Sequence, residues 1–121
     1  MQHRDWLFRI TDILDAISTV EKYIKGMTYE DFKADRKTVD AVVRNLTIIG
    51  EAAVHIPEEI CRLRLEIPWT EMRAMRNFVV HEYFGVSDKI LWDTEQTDLP
   101  PIFPALKEMV TVYSKKDDRA T

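Results

Sequence analysis

The sequence holds a single cysteine, Cys61, so no disulfide can close within the chain, which fits a reducing cytoplasm. Zinc-finger spacing is absent with it. Only three glycines occur in 121 residues, and they form no phosphate-binding loop. The five prolines sit between apolar runs. Few breakers and many long patterned runs favour an all-α fold. Positive charge is not in excess either: 17 Lys and Arg against 21 Asp and Glu leave a net charge of −4. The field of the whole molecule therefore does not draw in nucleic acid, and RNA contact needs a local basic patch or one built across subunits. The charged start, Met1-Gln2-His3-Arg4-Asp5, leads into an amphipathic pattern rather than a continuous apolar run, so neither a signal peptide nor a membrane span is expected. No internal repeat is visible.

What remains is ordinary globular composition, 45% hydrophobic and 31% charged, in a length suited to one domain with one core. The expected domain covers residues 1–114, and the charged stretch 115–121 is expected to be a flexible tail. Trp6, Ile10, Ile13, Leu14, Ile17, Val20 and Ile24 recur at steps of three and four, predicting a helix from about Gln2 to Lys25 that Gly26 ends. Thr28 with Asp31 three residues on fits a capping box for a short turn. A second long helix is expected from about Arg36 to His55, capped by Asp35, with Val39, Val42, Val43, Leu46, Ile49, Ala53 and Ile56 as its apolar stripe. Gly50 interrupts that stripe and implies either close helix packing or room for a ligand. Further helices are expected over Glu58–Leu65, from Trp69 with Thr70 as cap, from Ser87 or Asp88 to about Thr97, and from Asp98 onward. The predicted architecture is an antiparallel helical bundle of four or five helices.

The stretch that carries chemistry is Arg76-Asn77-Phe78-Val79-Val80-His81-Glu82-Tyr83, an R-x-x-x-x-H-x-Y pattern. An arginine fork matches phosphate oxygens and stays charged, and a histidine passes protons near neutral pH. Together they suit cleavage of an RNA phosphodiester by its own 2′-hydroxyl: His81 takes or gives a proton while Arg76 stabilises developing negative charge. On an ideal helix Tyr83 lies about 20° from Arg76, but His81 lies about 140° away. The two converge only if the helix ends or distorts near Val80, or if two copies of the motif meet across a dimer interface. The residues alone also allow a plainer arrangement, with Arg76 paired to a carboxylate and His81 hydrogen-bonded in a partly buried place.

Met75 to Val86 as a whole resembles the signature of the HEPN superfamily, specifically its HepT-like proteins. Phe32 with Asp35, Asp40-Ala41-Val42, Ile49-Gly50-Glu51-Ala52, Ile67-Pro68-Trp69 and the run Trp92 to Pro100 resemble the family pattern in the expected order, so the likeness covers nearly the whole chain. The resemblance implies a helical-bundle homodimer whose motifs face each other, acting in the cytoplasm as the metal-independent endoribonuclease toxin of a type VII-like toxin–antitoxin pair. It implies Arg76 and His81 as the catalytic pair, with Asn77 supporting. It implies a minimal nucleotidyltransferase antitoxin that adenylylates Tyr83, where added phosphates would fill the positive site and block RNA. No cofactor, metal, DNA or membrane partner is implied. The alternative is a non-catalytic helical subunit that docks on a nucleotidyltransferase and holds nucleotide or RNA.

Other constellations carry less. Glu51 and His55 share a helix face, but further metal ligands at suitable spacing are not evident. Glu51 reads as a solvated or ion-paired carboxylate with room for a supporting role near the site. Arg62, Arg64, Arg73 and Arg76 make the middle of the chain locally basic, either as an RNA track or as ordinary ion-paired surface. Met72, Met75 and Met109 read as core filler, Trp69 and Trp92 as packing anchors, and Cys61 not as a nucleophile.

Overall fold

The computed structural model describes residues 2–78 and 88–120. Helix α1, Gln2–Ile24, buries the whole stripe from Trp6 to Ile24. Gly26 ends it at φ +78°, in the left-handed region that a glycine enters without steric cost. Thr28 then starts α2, Tyr29–Ala34, through the expected capping box: its hydroxyl accepts from Asp31 N at 3.1 Å, and the Asp31 carboxylate accepts from Thr28 N at 3.0 Å. Asp35 closes α2 and opens α3, Arg36–Val54, accepting from Thr38 N at 3.1 Å and Thr38 Oγ1 at 2.8 Å. These bonds, side chain first, hold the Asp35 carboxyl below its ordinary pKa. Val39, Val42, Val43, Leu46, Ile49 and Ala53 of α3 are buried, as is Ile56 just beyond it.

The shorter elements differ from the expectation in instructive ways. Helix α4 is only Glu58–Cys61, not Glu58–Leu65. Leu63 and Leu65 are 54% and 79% exposed, so no apolar face rewards a longer helix, and the chain continues in turns instead. Helix α5, Trp69–Ala74, starts at Trp69 as expected, but Pro68 rather than Thr70 holds the cap position. The Pro68 carbonyl accepts from Met72 N at 3.0 Å, and the buried Trp69 ring is pinned by its indole N–H donating to Arg64 O at 3.1 Å. Thr70 therefore lies inside the first turn. After α5 the winding tightens into a 3₁₀ turn over Met75–Asn77.

Helix α6, Asp88–Asp93, runs through a π turn at Thr94–Asp98 directly into α7, Leu99–Ala120, where two separate helices were expected. The prolines explain the widening. Pro100 and Pro101 lack N–H donors, and their rings would collide with carbonyls one turn earlier in α geometry. A wider turn there relieves both problems without breaking the helix.

Helix α3 is the central element, packing against α1, α5 and the 3₁₀ turn, while α1 also packs along α7. Ile102, Leu106 and Met109 of α7, with Met72 and Met75, complete a core that includes Trp69. Trp92 packs in tilted contacts against Phe32 and Tyr29, at centroid distances of 5.5 and 6.1 Å. The molecule is an all-α bundle, and among the described residues there is no strand. Among them, too, no helix is long and apolar enough to cross a membrane.

Candidate functional site

Arg76 sits on the 3₁₀ turn, and that turn lies against α3 at Gly50. A β-carbon built on Gly50 would fall 2.8 Å from Arg76 Cβ and 2.9 Å from Arg76 Cα, and nearer still to the Arg76 nitrogen. The interruption in the α3 stripe is therefore a backbone-to-backbone contact, the close packing the sequence allowed, and its neighbour is the arginine of the motif. Both sides of the contact are backbone, so Gly50 holds Arg76 in a fixed register on α3.

That register brings the next residue of α3 beside the arginine. The Glu51 carboxylate stands 3.5 Å from Arg76 Nη1, with the two side chains 58% and 48% exposed. Arg76 thus does pair with a carboxylate. One long contact between half-exposed groups contributes at most about 1 kcal/mol. It also engages one of five guanidinium donors and leaves the fork open to another oxyanion. Asn77, next along the turn, is exposed. His81 and Tyr83 lie outside the described residues. The chain departs from α geometry at Met75–Asn77.

The other basic residues are largely occupied within the chain. Arg64 spans Glu66 and Glu108, both at 2.7 Å, and ties the turn after α4 to α7. Hydrogen bonding to Glu66, then its charge and that of Glu108, hold the guanidinium pKa above its ordinary value against partial burial. Arg73 reaches Cys61 Sγ at 3.2 Å and Glu58 Oε1 at 3.5 Å. Burial raises the Cys61 thiol pKa, and the opposing pull of Arg73 does not cancel that, so the thiol is not an activated nucleophile. Arg62 is exposed. The locally basic middle of the sequence is thus mostly ion-paired surface rather than a continuous basic track.

Two features were not anticipated. A cavity of about 320 Å³ opens beside the 3₁₀ turn, walled by Ala74, Met75, Phe78 and Ile90 with Glu71, Thr94 and Asp98 at its edge. Arg76 is not among its lining residues. The second is Glu95, on the core-facing stripe between Leu91 and Leu99. It is 2% exposed, and among the described residues nothing donates to either carboxyl oxygen. Burial alone pushes its pKa up to about 8. Its alignment with Leu91 and Leu99 would have been the signal in the sequence, since four-residue steps put all three on one face.

Comparison with known proteins bears on what such a site does. Residues 13–109 match the family model described as ribonuclease HepT-like. The chain is 45% identical over 100 residues to "Probable ribonuclease HepT" of Thermococcus cleftensis, covering 83% of this chain and 88% of that one. It is 37% identical over 98 residues to a protein of Caldanaerobacter subterraneus subsp. tengcongensis whose name designates it an RNase, covering 81% and 88%. It is 32% identical over 120 residues to a similarly named protein of Methanocaldococcus jannaschii, covering 99% of each. No solved structure matches the chain. With the family model spanning most of the bundle, from α1 to α7 and through Gly50, Glu51 and Arg76, the chain belongs to the HepT-like ribonucleases.

Proposed function

We propose that this ribonuclease is the toxin of a type VII-like toxin–antitoxin pair, a cytoplasmic, metal-independent endoribonuclease that works as a homodimer. Arg76 and His81 are its catalytic pair, Asn77 supports them, and a nucleotidyltransferase antitoxin silences it by adenylylating Tyr83. The observation that carries this reading is Arg76 itself. In a chain of this family, the motif arginine stands half exposed on a turn locked to α3, with most of its donors open.

In the reaction Arg76 grips the non-bridging oxygens of the scissile phosphate and stabilises the charge that builds on them as the ribose 2′-oxygen attacks phosphorus. His81 exchanges a proton with the attacking or the leaving oxygen. An AMP joined to Tyr83, two residues from His81 in sequence, places a phosphate where Arg76 would otherwise take the RNA backbone.

Two experiments test the two halves. His81→Ala and Arg76→Ala, folded as judged by circular dichroism, should each abolish RNA cleavage and growth arrest. Retained toxicity in His81→Ala would sink the enzymatic half and favour a non-catalytic docking subunit. Intact mass after incubation with the nucleotidyltransferase and ATP should rise by one or more AMP units, and should not rise in Tyr83→Phe. A stable complex without any gain in mass would replace adenylylation by steric control.

A further inference from the structure

We infer that Glu51 is the general base of the cleavage reaction, taking the proton from the attacking 2′-hydroxyl, and that His81 acts as the acid. The inference rests on the reading above, with Arg76 as the phosphate ligand. It goes beyond it by assigning the two proton transfers to two different groups.

The Gly50–Arg76 backbone contact fixes the offset between α3 and the 3₁₀ turn, so the residue after Gly50 must stand beside the guanidinium. The fold thus presents a carboxylate beside Arg76 as a result of the close Gly50–Arg76 backbone contact. The Glu51–Arg76 pair is also loosely joined. At 3.5 Å and about half exposed on both sides, it contributes little to stability, and one carboxylate oxygen is left over for another partner.

A guanidinium that chelates phosphate holds its oxygens at about 2.8 Å. The 2′-oxygen in a near-attack arrangement lies about 3 to 3.5 Å from phosphorus. A carboxylate 3.5 Å from the same guanidinium can come within a hydrogen bond of that hydroxyl when the 2′-oxygen approaches from the Glu51 side of Arg76. Arg76 is the charged group facing Glu51 from the packed 3₁₀ turn, and His55 follows one turn along α3.

The step balances without an added reactant. The 2′-O–H proton passes to the Glu51 carboxylate as the O2′–P bond forms. The P–O5′ bond breaks, and the leaving oxygen takes a proton from the His81 imidazolium. The products are a 2′,3′-cyclic phosphate and a 5′-hydroxyl, and exchange with water resets both side chains.

The test is steady-state cleavage of a fluorophore–quencher oligoribonucleotide of mixed sequence as a function of pH. It compares the full-length wild type with Glu51→Gln, Glu51→Asp and His81→Ala. Glu51 is exposed, so Glu51→Gln should melt with the wild type. The expected result is a fall in kcat of on the order of 100-fold or more with KM nearly unchanged, and loss of the acidic limb of the profile. Partial recovery is expected in Glu51→Asp. An unchanged kcat with the acidic limb intact overturns the assignment and leaves Glu51 as an ion-pair partner only. A lower KM with kcat maintained also overturns it, making Glu51 an anionic obstacle to phosphate. A higher KM alone would reduce it to positioning Arg76. Loss of cleavage in His81→Ala beside full activity in Glu51→Gln sinks this inference and spares the catalytic pair. Full activity in His81→Ala, or none in the wild type, sinks the proposed function and this inference with it.

Discussion

Replacing Gly50 by alanine should damage the protein out of proportion to one methyl group. In an ordinary exposed helix the change would stabilise α3 by about 1 kcal/mol, because alanine restricts the unfolded chain and has the better propensity. Here the new β-carbon meets backbone. Ordinary contact begins at 3.4 Å, so the 2.8 Å approach to Arg76 Cβ demands a shift of roughly 0.6 Å, and the Arg76 nitrogen demands more. Neither partner can rotate away, since both belong to the main chain of packed elements. Overpacking of this kind costs about 1–3 kcal/mol, enough to outweigh the propensity gain. The same displacement moves Arg76 relative to Glu51, and for the phosphate-binding role proposed for Arg76 a misplacement near 1 Å costs on the order of 100-fold in rate. Urea unfolding followed by circular dichroism would read the first effect. RNA cleavage, at a denaturant-free temperature where both proteins are folded, would read the second. A Gly50→Ala protein that is more stable than wild type and cleaves RNA at the same rate would refute the contact as the determinant of the site.

Other expectations follow from buried or capping groups. Glu95 has its folded pKa raised to about 8 from 4.5, so the folded state holds a proton that the unfolded state has lost between those values. Stability should therefore fall as pH rises through that window, with a slope approaching about 1.4 kcal/mol per pH unit, and level off above it. In Glu95→Gln that slope should vanish, and an unchanged pH dependence in urea unfolding would argue against the burial. Glu95→Leu, which removes the buried polar atoms, should raise stability at pH 8 by about 1–3 kcal/mol. Thr28→Ala removes one half of the capping box and should lower the unfolding free energy by about 0.5–2 kcal/mol without altering RNA cleavage. Cys61 is 3% exposed with its thiol pKa raised, so iodoacetamide at pH 8 should label it far more slowly in the native protein than in urea, as intact mass would show.

Much of the fold was legible because its causes are local. The stripes of α1 and α3, Gly26 at a helix end, the Thr28–Asp31 capping box and Asp35 as a helix cap are written within one or two turns of sequence, and each stands as expected. The family pattern was readable for the same reason, as an ordered set of short motifs. Boundaries that depend on distant partners were not legible. Helix α4 stops where Leu63 and Leu65 find nothing to cover them, and Pro68 rather than Thr70 caps α5, whose first residue, Trp69, is anchored through its indole to Arg64. The continuity of α6 into α7 through a π turn ran against the usual reading of two adjacent prolines as a break.

The sequence by itself determined that this is an all-helical, HepT-like chain, and it singled out the Arg76-to-Tyr83 motif as the candidate site. Tertiary structure alone decided which of those residues meet. Gly50 and Arg76 are 26 positions apart, and nothing in their local spacing says that their backbones touch. The tertiary contact made one glycine the seat of the arginine and gave Glu51, which the sequence left as either a solvated or an ion-paired carboxylate, that arginine as its partner. It likewise tied up Arg64 and Arg73 on carboxylates of their own chain. Helical periodicity is set within about four residues, whereas the offset between two packed helices is set by how closely their backbones can approach.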